Sequence, residues 1–303
     1  MLPAEIERIT LYNMFHNGDL HISREFLKML RKAMPRYRYS YAHRCKHSVF
    51  CDMPWLAKSE EHMDDRQNYL PYYYGRDGKT LYINTWVARC RSNRYSANFA
   101  MRSAIIRVFN KFRDDILELG LPFKIGFVED CLPRIDYSYC RYGKNVMLFV
   151  KECGDKRIIL VANGDAMSGQ ANNFDMCWAV RELADEHEDC VFVMTHRTEV
   201  AGHNIFYTDE IIQAGAEGDL CEISLLSRYC DVLVGRNSGP SCFWCVYPNW
   251  IDEHKHIIHF VNDTRDDFWH NTLGANLYCS LGANEKIFVT EVHNLIERTK
   301  NHV

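Results

Sequence analysis

The sequence predicts an α/β fold with a parallel, doubly wound sheet in its C-terminal half, and three observations support this. Short apolar runs alternate with helix-like segments from residue 157 onwards. Glycine-containing loops follow several of these runs, as they do at the carboxyl ends of parallel strands. The chain has 303 residues, of which 47% are hydrophobic and 25% charged, enough for two cores. We therefore expect two domains, 1–152 and 153–303.

The N-terminal half begins with an apolar run over 9–15, a tight turn over 16–19 and a helix over 23–33. This order of strand, loop and helix is how an α/β layer starts. Between 37 and 140 the pattern is less periodic, although 80–84 indicates a strand and 98–119 a helix. The many tyrosines of this region either line a groove or fill a core, and the sequence leaves both interpretations open.

The C-terminal half alternates more regularly. Strands are predicted over 157–163, 190–195, 231–235 and 256–261. Helices are predicted over 174–186, 219–229, from 237 onwards and over 284–300. Strands and helices in this order imply a parallel sheet with right-handed crossovers.

Charge and hydropathy exclude some classes of function. The net charge is −4, the sequence pI is about 6.4, and no run of basic residues concentrates a field, which argues against nucleic acid as a partner. The first ten residues carry acids and a proline where a secretory signal has a basic start and an apolar stretch. No stretch approaches the roughly 18 apolar residues of a membrane span. We expect a cytoplasmic protein, and peripheral contact with a membrane stays open.

The 13 cysteines are odd in number and scattered, which is typical of reduced, buried thiols. Two groups are weak zinc candidates: the pair Cys242 and Cys245, and a cluster comprising His43, Cys45, His47 and Cys51. Both groups lie among core-like aromatic residues, so we expect no metal.

The loop after the predicted strand 157–163 has the composition of an anion-binding turn. Two glycines and a serine follow the strand, and their backbone amides could surround a phosphate. A glutamine stands where a phosphate-binding loop of an ATPase carries lysine, which disfavours ATPase chemistry. The alternative is a long turn capped by serine. The candidate residues are Asn163, Gly164, Ser168, Gly169 and Gln170.

A second loop, 235–240, follows the predicted strand 231–235 and opens a helix. Backbone amides, a hydroxyl and an arginine together suit a diphosphate. The alternative is an ordinary helix N-cap. The candidates are Arg236, Asn237, Ser238 and Gly239.

A third loop presents a carboxylate on a glycine turn near the start of the chain. Asn17, Gly18 and Asp19 lie between the first predicted strand and helix. A helix cap explains this pattern as well as a catalytic carboxylate does. A diphosphate site in one domain and a carboxylate in the other is nevertheless an arrangement that suits group transfer across a cleft.

These loops resemble those of the GT-B glycosyltransferases, and among them the heptosyltransferase family of bacterial lipopolysaccharide synthesis (glycosyltransferase family 9). Gly18-Asp19-Leu20-His21 is similar to the Gly-Asp-x-x-His turn of that family, with the histidine one position early. The stretch 219–240 is similar to its helix start, in which Asp or Asn is followed by Ser or Thr and then Gly. The resemblance implies two Rossmann-like domains facing a cleft, with the N-terminal one trimmed.

The resemblance also implies an activity. It predicts a metal-independent, inverting glycosyltransferase that moves a sugar from a nucleotide-diphosphate sugar to a glycan or lipid-linked hydroxyl, without a cofactor. Asp19 would be the general base, and Asn17, Gly18 and His21 would lie on the acceptor side.

On the donor side, Asn237, Ser238 and Gly239 would hold the diphosphate. Arg197 and Arg236 are candidates for further charge neutralisation, and the alternative for each is an ordinary surface arginine.

Glu222 would either contact a ribose or complement the dipole of its helix.

Two other functions remain open. A nucleotide-sugar-binding relative without catalysis would keep the diphosphate loops and lose the base. A dinucleotide-dependent oxidoreductase would share the architecture, but the chain lacks the expected Gly-x-Gly-x-x-Gly between an early strand and helix.

Overall fold

The computed structural model describes residues 3, 5–64, 67–86, 102–121, 131–167, 171–215, 218–236, 239–262 and 274–300, with backbone only at 68 and 102–108. The chain forms two compact units, Met1–Arg134 and Ile135–Val303. In the part of the chain so described, no helix is both long and apolar enough to cross a membrane.

The division falls earlier than the predicted boundary at 152/153. The reason is a helix that the sequence patterns missed, Gly143–Cys153, whose contacts are with the C-terminal unit. Asn145 Nδ2 donates to the carbonyl of Ile212 at 2.9 Å, and the Tyr142 backbone N–H donates to Glu222 at 3.3 Å. These bonds attach the helix to the second core.

The N-terminal unit has a five-stranded sheet in the order β3-β2-β1-β5-β4, in which only β4 is antiparallel to its neighbour. Its strands are Arg8–Tyr12 (β1), Arg38–Ala42 (β2), Leu56–Ser59 (β3), Tyr72–Tyr74 (β4) and Thr80–Asn84 (β5). Its helices are Asn17–Ile22 (α1), Arg24–Ala33 (α2) and Arg102–Leu117 (α3). β1 is central and its last four residues are buried, so its carboxyl end opens in the middle of one sheet edge.

The C-terminal unit has a six-stranded sheet in the order β11-β10-β9-β6-β7-β8, and every pairing is parallel. Its strands are Arg157–Ala162 (β6), Cys190–Met194 (β7), Ile205–Tyr207 (β8), Val232–Arg236 (β9), His256–Val261 (β10) and Asn276–Leu281 (β11). Its helices are Gly143–Cys153 (α4), Met176–Glu186 (α5), Thr208–Ile212 (α6), Leu220–Ser227 (α7), Gly239–Cys242 (α8), Tyr247–Trp250 (α9) and Glu285–Lys300 (α10). The strand order is that of a complete Rossmann sheet.

The predicted doubly wound α/β fold is therefore confirmed. The four strands predicted in the C-terminal half match β6, β7, β9 and β10 to within one residue at each end. One core of this unit packs α5 and α10 against the same face of the sheet, with Phe192, Phe260 and Phe288 buried in it.

Gly235 in β9 is required by close packing. A Cβ atom at this position would lie 2.7 Å from the Ala162 Cβ and 2.8 Å from the Trp244 Cη2. Neither is the end of a flexible chain, because Ala162 is in β6 and Trp244 is fully buried. The glycine thus lets β6 and β9 run beside the indole ring.

Gly235→Ala is expected to lower the free energy of unfolding by about 1–3 kcal/mol, since the added methyl overpacks a buried contact. Urea unfolding followed by circular dichroism measures this. Gly239→Ala is the matched control, because a Cβ there meets no atom within 4 Å. Equal stability of the two variants would contradict the packing argument.

Candidate functional site

The direction of winding reverses between β6 and β9 in the C-terminal sheet. From β6 the chain proceeds to β7 and β8 on one side, and from β9 to β10 and β11 on the other. Ligands of such sheets bind beyond the carboxyl ends of the strands at this reversal. The first loop predicted from the sequence begins after β6, and the second includes the end of β9 and the start of α8. A Cβ built on Gly164 would lie 3.6 Å from Pro240 Cγ, so the structure brings the two loops together.

Arg236, the last residue of β9, holds the first loop in place. Its side chain is 1% exposed, and its guanidinium donates to the carbonyls of Asn163 at 2.7 Å and Gly164 at 3.2 Å. It also donates to the carbonyls of Asn172 at 3.0 Å and Phe174. Nearly all its donors are thus used on the protein, which gives Arg236 a positioning role, while its part in neutralising a diphosphate stays a prediction.

These bonds have a consequence for the amides of the loop. In a trans peptide the N–H of one residue points opposite to the C=O of the residue before it, and the described chain has no cis peptide. Since the Asn163 and Gly164 carbonyls point at Arg236, the N–H groups of Gly164 and Asp165 point away from it. Within the described residues, neither N–H donates a hydrogen bond. Two consecutive amides are thus presented to an anion.

Asn163 fixes the base of the same loop through its side chain. The carboxamide donates to the His196 carbonyl at 2.8 Å and accepts from the His196 N–H at 2.8 Å. It therefore pairs with the loop after β7 as a further peptide group would. Asn163 is buried and its side chain holds the loop, while its place in the donor site stays a prediction.

Several predicted donor residues lie outside the described residues: Ser168, Gly169, Gln170, Asn237 and Ser238. Gly239 is described and begins α8, whose Gly239–Cys242 span is a single turn. A helix this short has little dipole, so any binding of a diphosphate by Gly239 would depend on its backbone amide.

Arg197 and Glu222 are engaged within the protein. Arg197 is exposed and forms ion pairs with Asp209 at 2.7 Å and Glu210 at 2.8 Å. Glu222 is buried in the third position of α7, and its carboxylate accepts from the Tyr142 N–H. Both side chains thus have partners within the protein, and their contacts with a phosphate or a ribose stay predictions.

Asp19 lies at the carboxyl edge of the N-terminal sheet, directly after β1. Helix α1 has His16 as its N-cap, so Asp19 is the third helical residue and not the cap. Its side chain is partly exposed, whereas Gly18 and His21 are buried. Burial raises the pKa of the Cys45 thiol, and the nearby charge of Asp19 raises it further.

Aromatic residues surround this edge, and the sequence patterns did not single them out. Phe15 stacks on Trp86 with ring centroids 3.9 Å apart, and Tyr69 meets Trp86 edge-on at 5.7 Å. Trp86 follows the predicted strand that ends at Asn84, and this position could have indicated a role at the edge. The tyrosines of the region 37–140 divide between the two interpretations: Tyr69 is 66% exposed, whereas Tyr39 and Tyr41 are buried.

The two groups of cysteines and histidines named above as weak zinc candidates contain residues that form hydrogen bonds within the protein. His43 Nε2 lies 3.1 Å from His47 Nδ1, whose Nε2 lies 3.0 Å from the Leu56 carbonyl. Burial and the neighbouring charges lower the pKa of His43 to about 4. The Cys245 thiol donates to the Ser241 carbonyl at 3.4 Å. Among the described residues, neither group converges as a set of metal ligands.

No protein-family model matches the chain, and no curated protein matches it. Solved structures do. A family 9 glycosyl transferase from Veillonella parvula aligns over 96% of this chain and 92% of its own, with a TM-score of 0.54 and 13% identity. The ADP-heptose lipopolysaccharide heptosyltransferase II of E. coli aligns over 97% and 99%, with a TM-score of 0.50 and 10% identity. E. coli heptosyltransferase WaaC with ADP aligns over 96% of this chain and 99% of its own, with a TM-score of 0.53 and 8% identity.

The fold is GT-B. The resemblance to family 9 that the loops indicated is thereby confirmed for the fold, and at 8–13% identity it extends to the fold alone. The alignments cover 92–99% of these proteins, and the N-terminal half carries a five-stranded sheet; that this half is trimmed stays a prediction.

Proposed function

We propose that this chain is a glycosyltransferase that binds a nucleotide-diphosphate sugar at the loops after β6 and β9. The observation that carries the proposal is the pair of unbonded amides, Gly164 and Asp165, turned outward by Arg236 at the reversal of the sheet. The GT-B fold supports it, since E. coli WaaC was solved with ADP. No cofactor is required by this chemistry.

The proposed transfer is metal-independent and inverting. Backbone N–H groups stabilise the diphosphate as negative charge develops on it, which needs no divalent ion. Asp19 accepts the proton of the acceptor hydroxyl as that oxygen attacks the anomeric carbon, and the sugar–phosphate bond breaks on the opposite face.

The acceptor is proposed to be a glycan or a lipid-linked sugar. Phe15, Tyr69 and Trp86 offer aromatic faces at the sheet edge that carries Asp19, and such faces suit the apolar face of a sugar ring. The proposed setting is the cytoplasm, where reduced thiols persist. The described cysteines are all free thiols.

A nucleoside diphosphate alone is expected to raise the melting temperature equally in EDTA and in magnesium, because the proposed cradle consists of amides. A thermal-shift screen of ADP, GDP, UDP and CDP measures this and identifies the base. Stabilisation that requires a divalent ion would overturn the metal-free proposal.

The corresponding nucleosides are the ligand control, since they lack the diphosphate. Ser238→Ala is expected to weaken the stabilisation by about 1 kcal/mol if its hydroxyl meets a phosphate. An unchanged shift would leave Ser238 as a helix cap. A protein that binds the nucleotide but transfers sugar from no donor would favour the non-catalytic alternative.

A further inference from the structure

Two imidazoles and a carboxylate converge at the amino-terminal edge of the C-terminal sheet, away from the β6 and β9 loops. Glu186 ends α5, His187 is its C-cap, and His293 is on α10. His187 Nε2 lies 3.2 Å from His293 Nδ1, which lies 3.2 Å from Glu186 Oε2. One ligand atom from each residue lies within 4.8 Å of the other two.

The two contacts within this cluster share one nitrogen, His293 Nδ1, so a single proton serves both of them. If His293 Nδ1 carries a proton and donates it to Glu186, it cannot also form a full hydrogen bond to His187 Nε2. If His187 Nε2 donates to His293 Nδ1 instead, the imidazole lone pair is used and Glu186 receives no proton. Three electron-pair donors therefore meet with one proton between them, whereas a single cation would satisfy all three.

The separations suit a transition-metal ion. Zinc–nitrogen bonds of about 2.0–2.1 Å in tetrahedral geometry place adjacent ligand atoms about 3.3 Å apart. Both measured separations are 3.2 Å. Imidazole with a carboxylate selects Zn²⁺ and its neighbours in the first transition row over Mg²⁺ or Ca²⁺.

The surroundings of His187 also suit a metal ligand. Its side chain is 1% exposed, so the surrounding packing holds the ring in place. The other ring nitrogen, Nδ1, lies 3.6 Å from Glu297 Oε1, and metal binding through Nε2 requires that Nδ1 carry the ring proton. Lys300 Nζ lies 3.4 Å from the same nitrogen.

The charges that face the cluster are largely balanced. Lys300 pairs with Glu297 at 2.7 Å and with Asp189 at 3.7 Å, so its charge is compensated. Arg157 pairs with Asp189 at 3.1 Å. Glu186, 51% exposed, then supplies the negative charge nearest the imidazoles.

We propose that Glu186, His187 and His293 bind one divalent transition-metal ion of the zinc class, with water completing its coordination. The site joins the end of α5 to α10 and so ties the C-terminal helix to the sheet. It is independent of the proposed transfer reaction, because it lies at the opposite edge of the sheet from the nucleotide loops.

The test is a titration of the EDTA-treated, desalted full chain with Co²⁺, which reports its ligands by absorption. We expect His293→Ala to weaken Co²⁺ affinity at least about 10-fold. His254→Ala is the matched control, because its side chain is 90% exposed and outside the cluster, and its affinity should equal that of the wild type. The absorption should lack the charge-transfer band of a cobalt–thiolate bond.

Equal affinity of His293→Ala and the wild type would overturn the proposal, as would a dominant thiolate band. Glu186→Gln provides a second test that keeps the shape of an exposed side chain. Zn²⁺ should raise the melting temperature of the wild type and of His254→Ala, and raise that of Glu186→Gln much less. Equal shifts for all three proteins would refute the site.

Discussion

Asp19→Asn should leave nucleotide binding intact and slow sugar transfer by about 10²–10⁴-fold, the usual range for loss of a positioned acid or base. The amide has the shape of the carboxylate but does not accept a proton. Asp19 is the third residue of α1 and not its cap, so the substitution leaves the N-cap residue His16 unchanged. The variant therefore separates catalysis from folding.

The measurements are nucleotide affinity by calorimetry and transfer by product assay on the same preparation. Asp114→Asn is the control, because Asp114 is an exposed acid on α3 of the same unit, and its turnover should not change. Near-normal turnover of Asp19→Asn would remove Asp19 from the mechanism. An unfolded variant would instead show that the carboxylate stabilises the local structure.

Arg236→Met should be the most damaging single change in the C-terminal unit. Methionine fills part of the volume but leaves four carbonyls, those of Asn163, Gly164, Asn172 and Phe174, without their donor. Losing a buried charged hydrogen-bonding centre typically costs about 3–5 kcal/mol. Nucleotide affinity should fall as well, because the Gly164 and Asp165 amides lose their orientation.

Urea unfolding and calorimetry measure the two effects. Arg197→Met is the matched control: it removes an exposed arginine whose ion pairs are at the surface, and the melting temperature should not change measurably. Arg236→Lys should fall between the wild type and Arg236→Met, since one ammonium group has too few donors for four carbonyls. Full stability of Arg236→Met would disprove its positioning role.

The central strands of the C-terminal sheet were predictable because parallel strands covered on both faces appear as continuous apolar runs. β7 (Cys190–Met194) is such a run, and β10 (His256–Val261) combines four apolar residues with two histidines. β3 and β8, of four and three residues at the edges of their sheets, were missed because so short a segment has no measurable period. Helix α1 was missed for the same reason.

The candidate site was predictable in position and less so in role. Glycine loops after strands indicated where a diphosphate would bind, and the fold places two of them at the reversal of the sheet. The sequence could not show that Arg236 donates its hydrogen bonds to backbone carbonyls. Those carbonyls, at 163, 164, 172 and 174, are 62–73 residues away in the chain. An arginine after a strand has the same local pattern whether it meets a phosphate or a carbonyl.

Deamidation of Asn163 would change the structure of its loop, because the Asn163 side chain pairs with His196. Asn163 precedes Gly164, and an asparagine followed by glycine is the sequence most prone to deamidation. The product is an acid, which at neutral pH has no N–H to offer the His196 carbonyl and sets an anionic oxygen against it. Deamidation of Asn163 would thus break one of the hydrogen bonds that hold the loop after β6, the loop proposed to bind the nucleotide. How long a stored sample keeps its nucleotide affinity would then depend on how rigidly the Asn163 amide is held.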